Sequence, residues 1–162
     1  MAKRGQGFSL LELLLVLGVL AILLGIAVSN YLNLRRQLAV AEATQQVVQD
    51  LGRCRGLALS RSRICRLIVR GADQYAVELA RFDDPDPPAD VCSRDDFDPV
   101  AEITLKTPVQ FQGAALGDCV AYSTRGYAHL HLSTPGYLEV GDGTHTRRIL
   151  PSMVGAVRVV TP

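Results

Sequence analysis

A single glutamate inside a long apolar run restricts the fold of this chain more than any other feature. Residues 8–28 carry one charged side chain, Glu12. At about 1.5 Å of rise per residue, a helix over this run spans the roughly 30 Å of hydrocarbon in a bilayer. A carboxylate there costs a few kcal/mol in lipid, so it usually has a partner. The run therefore predicts a membrane-spanning helix with a specific use for its glutamate.

The residues before the run predict its orientation. Met1 to Gly7 are polar and include Lys3 and Arg4. Positive residues stay on the cytoplasmic side, which predicts a single span with a cytoplasmic N-terminus and the rest of the chain across the membrane. A secretory signal peptide, cleaved near residues 27–30, is the rival interpretation. Glu12 counts against it, because an ordinary signal peptide has no use for a carboxylate.

The segment Gly7-Phe8-Ser9-Leu10-Leu11-Glu12, followed by the apolar helix, resembles the class III signal of type IV pilins and type II secretion pseudopilins. The resemblance implies that residues 1–7 are a leader and that prepilin peptidase cleaves between Gly7 and Phe8. It also implies N-methylation of Phe8 and retention of residues 8–28 as a transmembrane and filament-core helix. Glu12 would pair with the terminal amine of a neighbouring subunit.

The helix is predicted to continue beyond the membrane to about Ser60. Over residues 29–62, apolar residues recur at spacings of three and four, which is typical of an amphipathic helix with one face on a core. That face is predicted to contain Tyr31, Leu34, Leu38, Ala41, Gln45, Val48 and Leu51, of which all but Gln45 are apolar.

Residues 63–162 are predicted to form a β-rich head with a single core. The fold class is α+β, a long helix packed on an antiparallel sheet, as in pilins. The turn Gly141-Asp142-Gly143 predicts a hairpin. Short β-rich runs bounded by Gly, Pro or Asp predict strands over 64–70, 75–81, 100–105, 119–123, 128–132, 137–140, 144–150 and 156–160. Three stretches, residues 56–63, 122–127 and 155–159, resemble the GspH/FimT group of minor pilins and pseudopilins.

Arginines are dense after residue 51, although the net charge of +1 by itself indicates no partner. A phosphate-binding patch for DNA is one interpretation, with Arg61, Arg63 and Arg158 as candidates. Some GspH/FimT relatives used in DNA uptake carry a Gly-Arg-x-Arg signature, of which this chain keeps only Arg158. Solvated cations near a helix C-terminus are the alternative.

Four cysteines, Cys54, Cys65, Cys92 and Cys119, could form disulfides in an exported head. Four cysteines allow three pairings. Loop length favours Cys92 with Cys119, and proximity to the helix end favours Cys54 with Cys65. Reduced, buried thiols are the alternative in a reducing compartment.

Two polar clusters have mainly structural interpretations. The aspartate-rich segment 82–98 could attract calcium but lacks EF-hand spacing, so a solvated, mobile loop is predicted. His129 and His131 share a strand face without a third ligand, and His145 is placed on another strand. No catalytic motif is present. The sequence predicts no enzyme, no cofactor and no metal site.

The predicted function is structural: a minor pilin or pseudopilin of a type IV pilus or type II secretion pseudopilus. The predicted partners are prepilin peptidase, other pilin or pseudopilin subunits and the inner membrane, with the head periplasmic or extracellular. A DNA-binding minor pilin for natural transformation is the alternative. Contact with exported proteins is a third hypothesis.

Overall fold

The structure is a computed structural model that describes residues 10–82 and 84–162. It begins with one helix, α1 (Leu10–Arg61). The chain divides into two compact units, Met1–Arg35 and Arg36–Pro162. Within the described residues, nine strands follow the helix: β1 (Cys65–Val69), β2 (Gln74–Ala80), β3 (Phe97–Thr104), β4 (Gln110–Gln112), β5 (Cys119–Tyr122), β6 (Ala128–His131), β7 (Leu138–Gly141), β8 (Thr146–Pro151) and β9 (Val157–Val160).

The strands form two antiparallel sheets. The larger sheet has the order β3-β2-β1-β5-β6, and the smaller has the order β4-β7-β8-β9. The predicted α+β class, a long N-terminal helix followed by antiparallel sheet, is confirmed. The turn around Asp142 joins β7 to β8, with Gly141 opposite Thr146. The eight predicted strands overlap observed ones, whereas the short strand β4 was not predicted and β3 begins earlier than predicted.

The second half of α1 and both sheets share the main core. The helix contributes a narrow row of small and medium side chains, and the sheets contribute larger ones such as Leu67, Tyr122 and Ile149. The buried helix residues are Val40, Ala43, Thr44, Val47, Leu51, Cys54 and Ala58. Small side chains on this face let the helix backbone approach the strands closely.

The predicted core face of the helix is therefore wrong over much of its length. Tyr31, Leu34 and Leu38 are exposed by 63%, 53% and 59%, whereas Leu51 is fully buried. The prediction followed the largest apolar side chains. The face on the core is instead defined by alanine, valine, threonine and cysteine, which the apolar pattern did not separate from the rest of the helix.

The prediction of a single core is also wrong, because a second apolar cluster lies on the other face of the larger sheet. Strand β1 alternates between the two clusters: Leu67 faces the helix and Ile68 faces the second cluster. A strand buried on both faces reads as a continuous apolar run rather than an alternating one. The second cluster comprises Ile64, Ile68, Ala76, Ala80, Val91, Phe97, Cys119 and Ala121.

Candidate functional site

The apolar part of α1 is the first candidate functional surface. Its most apolar 18-residue window has a mean hydropathy of 2.8, and none of that window is buried in the structure. Leu10 is 78% exposed, Ile22 68% and Leu24 60%. A continuous apolar surface of this size is unfavourable in water and marks a membrane or protein contact. By length and composition the helix can cross a bilayer, and it provides the membrane-anchoring segment.

Glu12 lies in the first turn of α1. The predicted cleavage and methylation residues, Gly7 and Phe8, lie outside the described residues. The processing site and the pairing of Glu12 with a neighbouring subunit therefore stay predictions.

The three candidate DNA-binding arginines lie on different elements. Arg61 is the last residue of α1 and is exposed, and Arg63 follows it half-buried. Arg158 is exposed on β9 of the smaller sheet, opposite Leu150 of β8. DNA binding stays a prediction.

Arg55, one of the arginines that are dense after residue 51, links α1 to two turns of the head. Its Nη1 donates to the carbonyl oxygen of Gly155, 3.3 Å away. A Cβ atom on Gly155 would lie 2.5 Å from Arg55 Nε, and one on Gly126 would lie 3.2 Å from it. Both glycines have positive φ, 80° and 79°. The glycines of the GspH/FimT-like stretches 122–127 and 155–159 therefore make room for this guanidinium.

A tyrosine hydroxyl lies near the same guanidinium without a hydrogen bond. Tyr122 is fully buried, and neither its hydroxyl nor Arg55 Nε has a hydrogen-bond partner among the described residues. Burial raises the pKa of Tyr122 to about 12, although the positive charge of Arg55 opposes the shift. The phenol therefore stays neutral at physiological pH.

A second buried phenol joins β2 to the helix. The Tyr75 hydroxyl donates to Asp50 Oδ2 on α1 at 2.7 Å. Burial, and then the hydrogen bond to Asp50, raise the pKa of Tyr75 well above its ordinary value. The ring of Tyr75 also packs edge-on against Phe111, with centroids 5.8 Å apart. This tyrosine ties the helix to both sheets.

A buried ion pair lies on the outer face of the larger sheet. Arg66 and Glu78 are exposed by only 2% and 4%. Arg66 Nε donates to Glu78 Oε2 at 2.8 Å, and Arg70 donates to the other carboxylate oxygen. The Arg66 guanidinium also lies 3.8 Å from the centroid of the Phe97 ring. The two arginines share one carboxylate, so this group carries one excess positive charge.

The aspartate-rich segment is predicted to be a solvated, mobile loop, and residues 84–96 form an irregular loop whose aspartates are mostly exposed but which also contacts the sheet. Its mobility stays a prediction. Residues 84–96, called the strap below, lie on the outer face of the larger sheet. Val91 is fully buried there, and its carbonyl oxygen accepts a hydrogen bond from Arg66. The carbonyl oxygen of Pro85 accepts bonds from the backbone N and the hydroxyl of Thr124, at 3.1 and 3.0 Å. Apolar and backbone contacts, which the high aspartate content obscures, hold the strap in place.

The aspartates of the strap and of the start of β3 mostly face solvent or arginine. Asp96 accepts two hydrogen bonds from Arg94, at 3.0 and 2.7 Å. The hydrogen bond from Arg94 lowers the pKa of Asp96, and the bond to Asp96 raises the pKa of Arg94. Asp98 pairs with Arg81 at 2.7 Å. Among residues 10–82 and 84–162, no group of three or more His, Cys, Asp or Glu side chains is arranged to hold a metal ion. Asp83 lies outside the described residues.

The four cysteines form two disulfides. Cys54 of α1 is bonded to Cys65 of β1, and Cys92 of the strap is bonded to Cys119 of β5. Their Cα–Cα distances, 5.4 and 5.7 Å, lie in the range usual for disulfides. These are the pairs that helix-end proximity and loop length favour. The first bond joins the helix to the sheet, and the second joins the strap to the sheet.

The histidines have different surroundings. His129 and His131 are half-buried on the edge strand β6, beside Asp86 and Met153 in a groove of about 660 Å³. His145 lies in the β7–β8 turn rather than on a strand, and its Nε2 lies 3.2 Å from Gln37 Nε2 on α1.

The turn that holds His145 is organised by Asp142. Asp142 Oδ1 accepts hydrogen bonds from the backbone N of Thr144 and His145, at 2.9 and 2.7 Å. Burial by itself would raise the pKa of Asp142. The bonds from His145 and Thr144 outweigh it and leave the pKa below its ordinary value.

Comparison with known proteins adds two findings. Residues 2–28 match the family profile of the prokaryotic N-terminal methylation motif. The fold is similar to the solved structure of the minor pseudopilin EpsH from the type 2 secretion system of Vibrio cholerae. The TM-score is 0.51 at 17% sequence identity, over 76% of this chain and 97% of that one. No curated protein matches this chain significantly in sequence.

Proposed function

We propose that this pilin-like chain is the precursor of a minor pilin or pseudopilin, a structural subunit of a type IV pilus or a type II secretion pseudopilus. The proposal depends on two features that occur together in this chain. The methylation motif covers residues 2–28, and the helix that begins in it continues into a head with a pseudopilin fold. Neither feature alone specifies this role.

In this proposal, prepilin peptidase cleaves between Gly7 and Phe8 on the cytoplasmic side, and Phe8 is then N-methylated. Cleavage removes Lys3 and Arg4 and creates an amine one helical turn from Glu12. The helix over residues 8–28 first anchors the subunit in the inner membrane in a single pass, and later packs in the filament core. Lys3 and Arg4 support a cytoplasmic N-terminus with the head across the membrane.

The proposed assembly role of Glu12 follows from the low dielectric of lipid and of a filament core. A carboxylate within the apolar segment loses hydration in lipid or in a filament core. The terminal amine of a neighbouring subunit offsets much of that loss when the two groups meet. Because one carboxylate and one amine recur in each subunit, their pairing also sets the axial stagger between adjacent helices.

The test is mass spectrometry of the mature N-terminus, on protein purified from cells that contain a prepilin peptidase. We expect a chain that begins at methylated Phe8 and keeps the apolar helix. A Gly7→Val variant is expected to remain uncleaved, whereas Gly5→Val, the matched leader control, is processed normally. A purified chain that begins at Met1, or that lacks the whole apolar segment, would overturn the proposal.

A further inference from the structure

The two disulfides of the head differ in access to solvent. Cys54 and Cys65 are both fully buried in the main core. Cys119 is also buried, but its partner Cys92 is only partly buried at the edge of the second cluster. Thiol–disulfide exchange requires in-line approach of a thiolate to one sulfur, so access decides which bond is attacked. The strap disulfide is therefore the reactive one by geometry.

Three arginines lie beside Cys92, and the carboxylates of Glu78, Asp95 and Asp96 balance their charge. A cavity of about 370 Å³ beside Cys92 is lined by Arg66, Arg70 and Arg94, together with Ser93 and Gly117. Arg66 and Arg70 share the single carboxylate of Glu78, and Arg94 pairs with Asp96. Asp95 also lines the cavity, as the further acid among its described lining residues. Neighbouring guanidinium groups stabilise an incoming thiolate and the thiolate that leaves.

The strap disulfide also holds the strap against the outer face of the larger sheet. The strap hides one face of the larger sheet, where Ile64, Ile68 and Ala76 are exposed by 0–3%. Apart from the disulfide, the described contacts of the strap include the bond from Arg66 to Val91, the bonds from Thr124 to Pro85, the bond from Arg81 N to the carbonyl oxygen of Asp96, and the Arg94 guanidinium 4.3 Å from the centroid of the Phe82 ring. Opening the disulfide removes the covalent bond between Cys92 of the strap and Cys119 of β5.

We propose that Cys92 is a thiol–disulfide exchange site and that the strap is a reducible latch over the outer face of the larger sheet. The partner is a dithiol, of the chemical class found in dithiol–disulfide oxidoreductases. One thiolate of the dithiol attacks Cys92 Sγ, the Cys92–Cys119 bond breaks, and Cys119 leaves as a thiolate that takes a proton. The second thiol of the partner then attacks the mixed disulfide and releases Cys92 as a thiol. The partner is oxidised by two electrons, and the latch is reduced by two.

The opened latch has a defined structural consequence. Val91 and its neighbours lose their covalent attachment to the sheet, so the strap separates from the second cluster more often. The face then exposed is apolar, and such a face favours contact with another protein. The main core keeps its own disulfide, so the head stays folded during this change. Reduction at Cys92 thus alters one surface of the subunit without unfolding it.

The experiment compares the two disulfides within the same full-length protein in mild detergent. The protein is titrated with dithiothreitol, free thiols are blocked with one alkylating reagent, and remaining disulfides are reduced and labelled with a second. Peptide mass spectrometry then reports each cysteine. We expect Cys92 and Cys119 to react at least about tenfold faster than Cys54 and Cys65. Equal rates for the two bonds, or faster reduction of the helix disulfide, would overturn the proposal.

Two further measurements separate the exchange site from the latch. An Arg70→Gln variant is expected to slow exchange at Cys92 about threefold, because it removes a cation beside the cavity. Arg81→Gln is the matched control, since both arginines are about half-exposed and paired with a carboxylate, but Arg81 does not line the cavity. Limited proteolysis of the selectively reduced protein should cleave within residues 84–96. An unchanged exchange rate in Arg70→Gln, or resistance of the reduced strap to protease, would also reject the proposal.

Discussion

Arg55 reaches from the helix to the carbonyl oxygen of Gly155, 100 residues later in the chain and 3.3 Å away. The contact exists because Gly155 lacks a Cβ atom where the guanidinium lies. A Cβ there would also come within 2.6 Å of the carbonyl oxygen of Gly126, which is backbone and cannot rotate away. The position of the Arg55 guanidinium therefore depends on the missing side chains of Gly126 and Gly155, and Arg55 joins the helix to both turns.

This contact predicts that Gly155→Ala destabilises the head strongly. The alanine would combine a positive-φ backbone with overlap against Arg55 and Gly126, so we expect a loss of about 2–4 kcal/mol. Gly143→Ala is the matched control: its φ is +88°, but nothing lies within 4 Å of the added Cβ. That variant should lose only about 1 kcal/mol. Denaturant unfolding of both variants measures the difference, and equal losses would show that Arg55 imposes no restriction.

The buried ion pair predicts that Glu78→Gln is severely destabilising. Removing the carboxylate leaves Arg66 charged at 2% exposure, and an uncompensated buried charge costs about 3–5 kcal/mol. Asp98→Asn, which breaks the exposed pair with Arg81, should change stability by only about 0–1 kcal/mol. Thermal unfolding of the two variants provides the comparison. A Glu78→Gln protein as stable as Asp98→Asn would contradict the assigned role of the pair.

The Asp142 turn predicts a loss of stability in acid. The pKa of Asp142 is lowered in the folded state, so the unfolded chain binds the proton more tightly. The contribution of this carboxylate is therefore present above its ordinary value of 3.8, and it is lost as pH falls through the folded pKa. Asp142→Asn should flatten that part of the stability–pH profile, because the amide oxygen still accepts hydrogen bonds but does not titrate.

The control for the acid profile is Asp84→Asn, an exposed residue of the strap. Melting temperatures are compared between pH 6 and pH 2, a range chosen to cover about two pH units on each side of the usual carboxyl pKa. The Asp84→Asn protein should keep the acid slope of the wild type. If the acid slope is unchanged in Asp142→Asn, that slope arises from other carboxylates.

The assembly hypothesis predicts that Glu12→Leu leaves the protein in the membrane but abolishes its incorporation into filaments. Leucine is apolar, like the residues that flank it, and is therefore favourable in lipid. It has no charge with which to pair with the amine of an adjacent subunit. Membrane fractionation and immunoblotting of sheared filaments measure the two properties separately. Glu42→Leu, at an exposed glutamate of the head, is the control and should assemble. Normal incorporation of Glu12→Leu would remove the proposed role.

The DNA alternative makes its own prediction. If the arginines contact phosphates, affinity for duplex DNA should fall steeply with salt, and Arg61→Ala combined with Arg63→Ala should abolish binding. Arg81→Ala, elsewhere on the head, should leave binding unchanged. Gel shifts at several salt concentrations measure both effects. Absence of binding at low salt would end this alternative.

Local patterns predicted the elements of this fold better than their packing. The apolar run and the strand-forming runs led to the helix and to eight of the strands, because periodicity and turn residues act over a few neighbours. Strand β4, only three residues long, has too short a pattern to detect. The core face of the helix was misjudged, because Ala43 and Ala58 carry little apolar signal of their own yet lie fully in the core.

The candidate sites also differ in whether they can be recognised from the sequence. The glutamate in the apolar segment and the leader before it are visible in sequence, since charge and hydropathy are properties of single residues. The contacts of Arg55, of the Arg66–Glu78 pair and of the strap were not visible in sequence. Each depends on contacts between residues that are distant in sequence. The aspartate-rich composition of the strap predicted exposure to solvent.

By itself the sequence determined that the chain has an apolar helix with one acidic residue, a helical continuation and a β-rich remainder. These follow from hydropathy and local propensity, which need no knowledge of neighbours in space. Only the tertiary structure decided which helix face is buried, how nine strands divide into two sheets, and that the strap covers a second core. Those outcomes depend on the free energy of contacts between residues far apart in sequence, such as Cys92 with Cys119.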